Sequence, residues 1–149
     1  MKSLNFTEGA EIPLKHTCDG ENLSPALSWG KVPDGAKSIA LLCEDPDAQP
    51  VTWVHWVLYN LPASRTEIPA AVPKADVTGD GARQGKNDFG QIGYSGPCPP
   101  RGSPHRYFFK LYALDAELNL KPGATKNQLQ ASMEKHILAE GSLIGTYHR

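Results

Sequence analysis

The sequence predicts a mainly β domain, a sandwich of antiparallel sheets with one late helix. Its 149 residues include 13 prolines and 14 glycines spread along the chain, which disfavours long helices and favours short strands joined by turns. Three hydrophobic segments include runs that are apolar on both alternating faces, as in central strands covered on both sides. One stretch near the C-terminus has the apolar spacing of a helix. We expect one domain over residues 1–149, because this length suffices for a single core.

The three strand segments follow in order along the chain. They are SIALLCE (Ser38–Glu44), VTWVHWVLYN (Val51–Asn60) and RYFFKLYALD (Arg106–Asp115). The second is rich in β-branched and aromatic residues, which favour strands, and its alternation places His55 on the face of Trp53 and Val57. The segments LNFT, LSWGKV and SLIGTYHR are weaker strand candidates, and residues 64–87 are predicted to be mostly loop.

The predicted helix begins at Thr125, which forms a capping-box pattern with Gln128 three residues later. An apolar stripe at helical spacing follows, formed by Leu129, Met133, Ile137 and Leu138. Gly141 suits the left-handed position that ends many helices. The stripe is interpreted as core packing against the sheet.

Charge and composition exclude several function classes. Lys and Arg total 15 against 16 Asp and Glu, and this balance argues against nucleic-acid binding, which needs a positive field. We expect no integral membrane segment, because no apolar run approaches the roughly 20 residues of a membrane span. The N-terminus has no apolar core of a signal peptide. Cys18, Cys43 and Cys98 form no CxxC pair, so we expect reduced thiols and a cytoplasmic location.

Polar residues gather at the predicted ends of the three strands. Asp45 and Asp47 follow the first strand, His55 lies within the second, and His105 and Tyr107 open the third. Each has an ordinary alternative: a turn for Asp45-Pro46-Asp47, a core histidine bonded to a carbonyl for His55, and a plain connection for the loop before His105. Together they predict a pocket for an anion such as phosphate, bound by protonated imidazole, backbone N–H groups and tyrosine hydroxyls. A neighbouring carboxylate is expected to raise the histidine pKa.

The loop GYSGPCPPRGSPHRY (Gly93–Tyr107) is predicted to form one wall of this pocket. It contains three glycines and four prolines. Proline restricts φ and glycine lets the backbone approach a ligand closely. Such a loop loses little entropy when it is held as a pocket wall. Tyr94, within this loop, is a further candidate ligand residue.

Three segments, CEDPDA, VHWVLYNLP and GYSGPCPPRGSPHRYFFKLYALD, resemble signature segments of the phosphatidylethanolamine-binding protein family, especially its prokaryotic Raf-kinase-inhibitor-like branch. The resemblance covers almost the whole chain. It implies a large central antiparallel sheet with a smaller sheet, one or two short helices, and a pocket for phosphate-like anions and phosphoethanolamine head groups. It also implies a cis peptide bond near the pocket. The residues that match the family's site are Asp45, Asp47, His55, Gly96, Pro97, Pro100, Gly102, His105 and Tyr107.

The leading functional hypothesis is a binding module without a cofactor that holds a phosphate-bearing anion and modulates a partner kinase or protease. One alternative is a hydrolase that uses the Asp/His groups as general acid and base, with Cys98 as nucleophile. Another is a metal site formed by Asp45, Asp47, His55 and His105. The resemblance also favours a homodimer, with Trp29, Trp53 and Trp56 as its apolar contact; the alternative is that these tryptophans belong to the core.

Overall fold

The computed structural model describes residues 1–149 and contains seven strands, one α-helix and a short 3-10 helix. The strands of the larger sheet follow the order β5-β3-β2-β6-β7, and β1 pairs with β4 in a separate two-stranded sheet. All of these strand pairs are antiparallel, which confirms the predicted fold class. The elements are the 3-10 helix Leu14–His16, β1 Leu27–Ser28, β2 Ser38–Asp45, β3 Trp53–Pro62, β4 Glu67–Ile68, β5 Arg83–Gln84, β6 His105–Leu114, α1 Lys126–Met133 and β7 Ile137–Tyr147.

Both faces of the larger sheet are covered, as the three apolar segments predict. One face packs against the small sheet, the N-terminal segment and the loop that precedes β6. The other packs against α1 and the chain leading into it. On the first face the core includes Leu41, Trp56 and Phe109. On the second it includes Leu42 and Val57. The central position of β2, between β3 and β6, explains why all eight of its residues are buried.

The helix begins as predicted but ends earlier. The hydroxyl of Thr125 accepts a hydrogen bond from the N–H of Gln128, whose side chain accepts one from the N–H of Thr125. The helix then ends at Met133, and the prediction that it continues to Gly141 was wrong. Residues from Ile137 onward form β7, which pairs with β6 along its whole length. A long strand pairing thus overrides the local helical spacing, and Ile137 remains 40% exposed.

A β-bulge in β3 changes the direction of His55. Cys43 pairs with Trp56 whereas Glu44 pairs with Val54, so His55 is the extra residue. Because of the bulge, Val57 packs on the helix-covered face, while the His55 ring lies 5.2 Å from that of Tyr107 on the opposite face. The prediction that His55 shares a face with Val57 was therefore wrong. Bulges commonly redirect a side chain in this way beside functional sites.

Two of the three cysteines form a disulfide, so the prediction of three reduced thiols was wrong. Cys18 and Cys98 are bonded, with their Cα atoms 5.4 Å apart although the residues are 80 positions apart in sequence. Cys43 is free and buried within β2. Since disulfides persist mainly in oxidising compartments and in some hyperthermophiles, the cysteines no longer favour a cytoplasmic location. None of the helices has the length and apolar character needed to cross a membrane.

Candidate functional site

A cavity of about 360 Å³ lies where the end of β2 meets the starts of β3 and β6. We call it the strand-end cavity. Six of the ten predicted site residues line it: Asp45, Asp47, His55, Pro100, His105 and Tyr107. Because β3, β2 and β6 are antiparallel neighbours, these three strand termini meet at one end of the sheet. The other lining residues are Ala48, Gln49, Trp53, Phe89, Cys98 and Pro99.

Four predicted residues lie behind or beside the cavity. Tyr94 is a core residue whose hydroxyl donates to the carbonyl of His16. The N–H of Gly96 donates to the Asn22 side chain, and the carbonyl of Pro97 accepts from the N–H of Cys18. Gly102 is exposed at the tip of the loop. Tyr94, Gly96 and Pro97 thus fix the loop against the segment that follows the 3-10 helix and do not themselves line the cavity.

Buried Asp45 and partly exposed His105 form a pair across β2 and β6. The Nδ1–H of His105 donates to Oδ2 of Asp45 over 2.7 Å. The other carboxylate oxygen accepts from the backbone N–H groups of Asp47 and Ala48, at 2.8 and 3.1 Å. The Asp45 carboxylate therefore both forms the predicted turn and orients the imidazole. No protein group bonds to Nε2 of His105, so this nitrogen is free to contact a ligand.

Asp47 is held by Arg106 on the rim of the cavity. Its carboxylate accepts the backbone N–H, Nε and Nη2 of Arg106 at 2.8–2.9 Å. These hydrogen bonds lower the pKa of Asp47 to about 2, so the group is an anion at all ordinary pH values. Because the guanidinium neutralises it, Asp47 contributes little net negative charge to the cavity.

His55 is fully buried and enters the cavity as a neutral imidazole. Its Nδ1–H donates to the carbonyl of Ser95 over 2.6 Å, which is the core-histidine arrangement considered as the alternative above. Burial lowers the pKa of His55 more strongly than this hydrogen bond and the nearby Asp45 charge raise it. The carboxylate raises the pKa of His55 as expected, but burial outweighs it, so the expected net rise is wrong for this histidine. In the neutral ring Nε2 is a hydrogen-bond acceptor.

Tyr107 carries a buried hydroxyl without a hydrogen-bond partner. The residue has no exposed surface, yet it lines the strand-end cavity. Burial raises the pKa of the phenol, and the Asp45 carboxylate raises it further through its charge and through a contact with the hydroxyl that lacks normal hydrogen-bond geometry. The group therefore remains a donor at neutral pH. Buried polar groups are nearly always paired in native proteins. An unpaired hydroxyl on a cavity wall therefore marks a place for a ligand or water atom.

An aromatic wall contains two residues that were not predicted. The Phe89 ring meets those of Trp53 and His55 edge-on, with centroids 5.7 and 5.3 Å apart. Phe89 is 42% exposed and is held by the hydrogen bond from its N–H to the Asn87 side chain. The carboxylate of the preceding residue, Asp88, accepts a hydrogen bond from the N–H of Val54 over 2.7 Å. The only sequence signal was an aromatic within the polar loop stretch NDFG, which is too short to interpret alone.

Comparisons with known proteins agree with this fold. Residues 2–148 match the family model described as phosphatidylethanolamine-binding protein. The chain belongs to the phosphatidylethanolamine-binding protein family. A cis peptide bond between Gln49 and Pro50 accompanies the site, and Gln49 lines the cavity.

Similar members of this family come from archaea and bacteria. The UPF0098 protein of Methanothermobacter thermautotrophicus is 52% identical over 149 residues, covering 100% of this chain and 98% of that protein. The homologue of Aquifex aeolicus is 47% identical, covering 99% and 86%. Among solved structures, a Chlamydia trachomatis homologue has a TM-score of 0.90 at 41% identity, covering 99% and 95%. Escherichia coli YbcL has a TM-score of 0.92 at 33% identity, covering 99% and 96%.

The alternative interpretations of these residues fare differently. No group of three or more His, Cys, Asp or Glu side chains is arranged to hold a metal ion, since the Asp45 and Asp47 carboxylates are engaged by His105 and Arg106. Cys98 has no free thiol in this structure, which removes it as a nucleophile. Trp56 is fully buried, so it cannot belong to a dimer surface.

A second cavity, of about 230 Å³, lies near the opposite end of β3. Its walls include Leu58, Leu61 and Ile68, and its two charges, Arg65 and Asp80, pair with each other. It has no imidazole and no unpaired buried polar group. We therefore take the strand-end cavity as the candidate functional site.

Proposed function

We propose that the strand-end cavity binds a small phosphate-bearing anion, such as a phosphoethanolamine head group or a phosphorylated side chain. The observation that carries the proposal is the buried Tyr107 hydroxyl, which lacks a partner on the cavity wall. Nε2 of His105 and Nε2 of His55, both without a protein partner, line the same space. Together these groups offer a polar end to a cavity whose remaining lining includes two aromatic rings, two prolines and the carboxylates of Asp45 and Asp47.

The donor and acceptor pattern indicates what the ligand must present. The Tyr107 hydroxyl is a donor, whereas neutral His55 presents an acceptor at Nε2. A ligand that fits both must carry acceptor oxygens and one proton, as a singly protonated phosphate ester does. A fully ionised phosphate would instead bring a proton to His55, because an adjacent negative charge favours the imidazolium.

The cavity also limits the size of the ligand and its counter-charge. At about 360 Å³ it lies near the lower end of small-molecule sites, so it fits a head group but not acyl chains. Asp45 retains unused acceptor capacity near the same space. Its carboxylate is placed to attract an ammonium carried by the ligand, which favours a zwitterion over a simple anion.

The experiment is a titration with phosphoethanolamine, inorganic phosphate and ethanolamine, followed by NMR and calorimetry. We expect the signals of His55, His105 and Tyr107 to shift with the first two ligands. His105→Ala should weaken binding by about 1.5–3 kcal/mol, the usual contribution of a hydrogen bond to a charged group. A matched control is His136→Ala, because His136 pairs with Asp115 over the same 2.7 Å distance but does not line the cavity.

Two results would contradict the proposal. One is that none of the phosphate ligands moves the cavity signals; the other is that His105→Ala binds as tightly as the natural chain. Turnover of a phosphoester by the purified protein would instead favour the hydrolase hypothesis, with the Asp45–His105 pair as acid and base. Modulation of a partner kinase or protease and formation of a homodimer stay predictions that concern how such binding is used.

A further inference from the structure

We propose that the Cys18–Cys98 disulfide is a thiol-exchange site that controls anion binding, and that its reduction frees one wall of the strand-end cavity. This inference rests on the proposed function, because the controlled property is ligand affinity. It concerns the loop segment Cys98–Pro104, which we call the cysteine wall.

The position of the disulfide is the first observation. Cys98 is exposed and lines the cavity, and Cys18 is partly buried. Exposed disulfides are the ones that reductants reach and that act in regulation or catalysis. Cys43, in contrast, has no exposed surface and lies in the sheet core. A thiol reagent in solution therefore meets the cavity-side disulfide and not the third cysteine.

The scarcity of other attachments is the second observation. Before Cys98 the loop is bonded to the core through the hydroxyl of Tyr94, the N–H of Gly96 and the carbonyl of Pro97. From Cys98 to Pro104 the only backbone hydrogen bond joins the N–H of Gly102 to the carbonyl of Arg149, over 3.3 Å. Residues 101–104 are all exposed.

The prolines of the cysteine wall explain why it has so few backbone hydrogen bonds, and they determine which part of it loosens. Pro99, Pro100 and Pro104 have no N–H to donate, so the backbone cannot replace the covalent bond with hydrogen bonds. Pro99 and Pro100, which line the cavity, lie directly after Cys98. Opening the disulfide therefore loosens the exposed lining residue Pro100 and the exposed residues after it, while the wall up to Pro97 stays in place and Pro99 keeps its buried packing.

The chemistry requires a dithiol reductant. Its thiolate attacks the exposed sulfur of Cys98, the Cys18–Cys98 bond breaks, and the sulfur of Cys18 leaves as a thiolate that takes up a proton. The second thiol of the reductant loses its proton and displaces the sulfur of Cys98, closing the reductant's own disulfide. Two electrons pass from the dithiol to the protein, which ends with two free cysteines.

Both consequences of opening weaken anion binding. A free cysteine wall must be ordered again when the ligand binds, and this adds an entropic cost to binding. In the disulfide form the Cys98 sulfur also lies 3.9 Å from Nη1 of Arg149. A neighbouring cation favours the thiolate form, which would place a negative charge at the cavity mouth.

The test compares phosphate and phosphoethanolamine affinities of the full chain before and after treatment with dithiothreitol, which is neutral and so does not compete for the anion site. Alkylation and mass spectrometry should show modification at Cys18 and Cys98, with Cys43 protected. We expect affinity to fall by about tenfold or more, the NMR signals of residues 98–104 to sharpen and move, and reoxidation to restore both. The double variant Cys18→Ser, Cys98→Ser should bind the anions as weakly as the reduced chain does, and dithiothreitol should not change its affinity.

The outcomes separate this inference from the proposed function. Tight binding that changes by less than about twofold on reduction would overturn the inference and leave the proposed function intact, as would a purified protein with three free thiols. If the oxidised chain binds neither anion, the proposed function fails. The NMR signals of His105 and Tyr107 then test the disulfide inference separately. Signals that move on reduction support control of the cavity by the disulfide, and signals that do not move overturn it. Should the double variant not fold, reversible reduction of the natural chain gives the same comparison.

Discussion

Removing the unpaired hydroxyl of Tyr107 should have opposite effects on stability and binding. Tyr107→Phe deletes one oxygen from a fully buried ring and breaks no hydrogen bond of normal geometry, since the hydroxyl makes none with the nearby Asp45 carboxylate or any other protein group. A buried polar group left unsatisfied costs about 1–3 kcal/mol. We therefore expect the variant without ligand to be more stable by about 1 kcal/mol, or about 2–4 °C in Tm for a chain of this size.

The same substitution should weaken ligand binding. If the phenol donates to a phosphate oxygen, its loss costs about 1.5–3 kcal/mol of binding free energy, which corresponds to roughly 10–150-fold in Kd. Thermal and chemical denaturation without ligand give the stability change, and calorimetric titration with phosphoethanolamine gives the binding change.

Tyr94→Phe provides the matched control. It also deletes one oxygen from a fully buried tyrosine, but that hydroxyl donates to the carbonyl of His16 over 2.7 Å. We expect Tyr94→Phe to lose about 1–2 kcal/mol of stability and to keep its ligand affinity. The reasoning is refuted if Tyr107→Phe loses stability like Tyr94→Phe, or if it binds phosphoethanolamine as tightly as the natural chain.

Three further predictions concern pH and packing. Affinity for sulfate, which does not titrate near neutrality, should rise as the pH falls towards the lowered pKa of His55, because binding brings a proton to His55; a flat calorimetric profile would count against this. Burial lowers the pKa of both His16 and His55, so the unfolded chain binds more protons below about 6.5, and the free energy of unfolding should decline there and level off above it. Gly96→Ala would place a Cβ 2.1 Å from the carbonyl oxygen of His16 and should lower the free energy of unfolding by at least about 1–3 kcal/mol. Gly79→Ala is the control: its Cβ would have no atom within 4 Å, so stability should change by less than about 0.5 kcal/mol. Equal melting temperatures for the two variants would contradict the packing argument.

Local pattern was sufficient for the central strands and for the start of the helix. β2, β3 and β6 coincide with the three predicted segments to within two residues at either end, because strands buried on both faces need continuous apolar sequence. The capping box at Thr125 was equally clear, since its two hydrogen bonds involve residues three positions apart. The prediction that Asp45, His55 and His105 converge depended on the family resemblance as well, because no single segment shows the order of the strands in the sheet.

Errors arose where long-range contacts decide the structure. The helical spacing of Ile137 and Leu138 gave way to pairing with β6. Tyr94 lies in the loop that forms the cavity wall, but its ring packs edge-on against Trp56 in the core. Burial lowered the pKa of His55 although a carboxylate lies nearby. In each case the deciding neighbour lies far away in sequence, and no local pattern carries its position.

The amino-acid sequence by itself determined the chain's β character, its three core strands and the stiff loop before the last of them, because hydrophobic alternation and proline and glycine content act over a few residues. Only the tertiary structure decided that His55 crosses to the cavity through a bulge, that Cys18 meets Cys98, and that Tyr107 is left with an unpaired hydroxyl. These features depend on strand register and on contacts between segments tens of residues apart, which are fixed only when the whole sheet assembles.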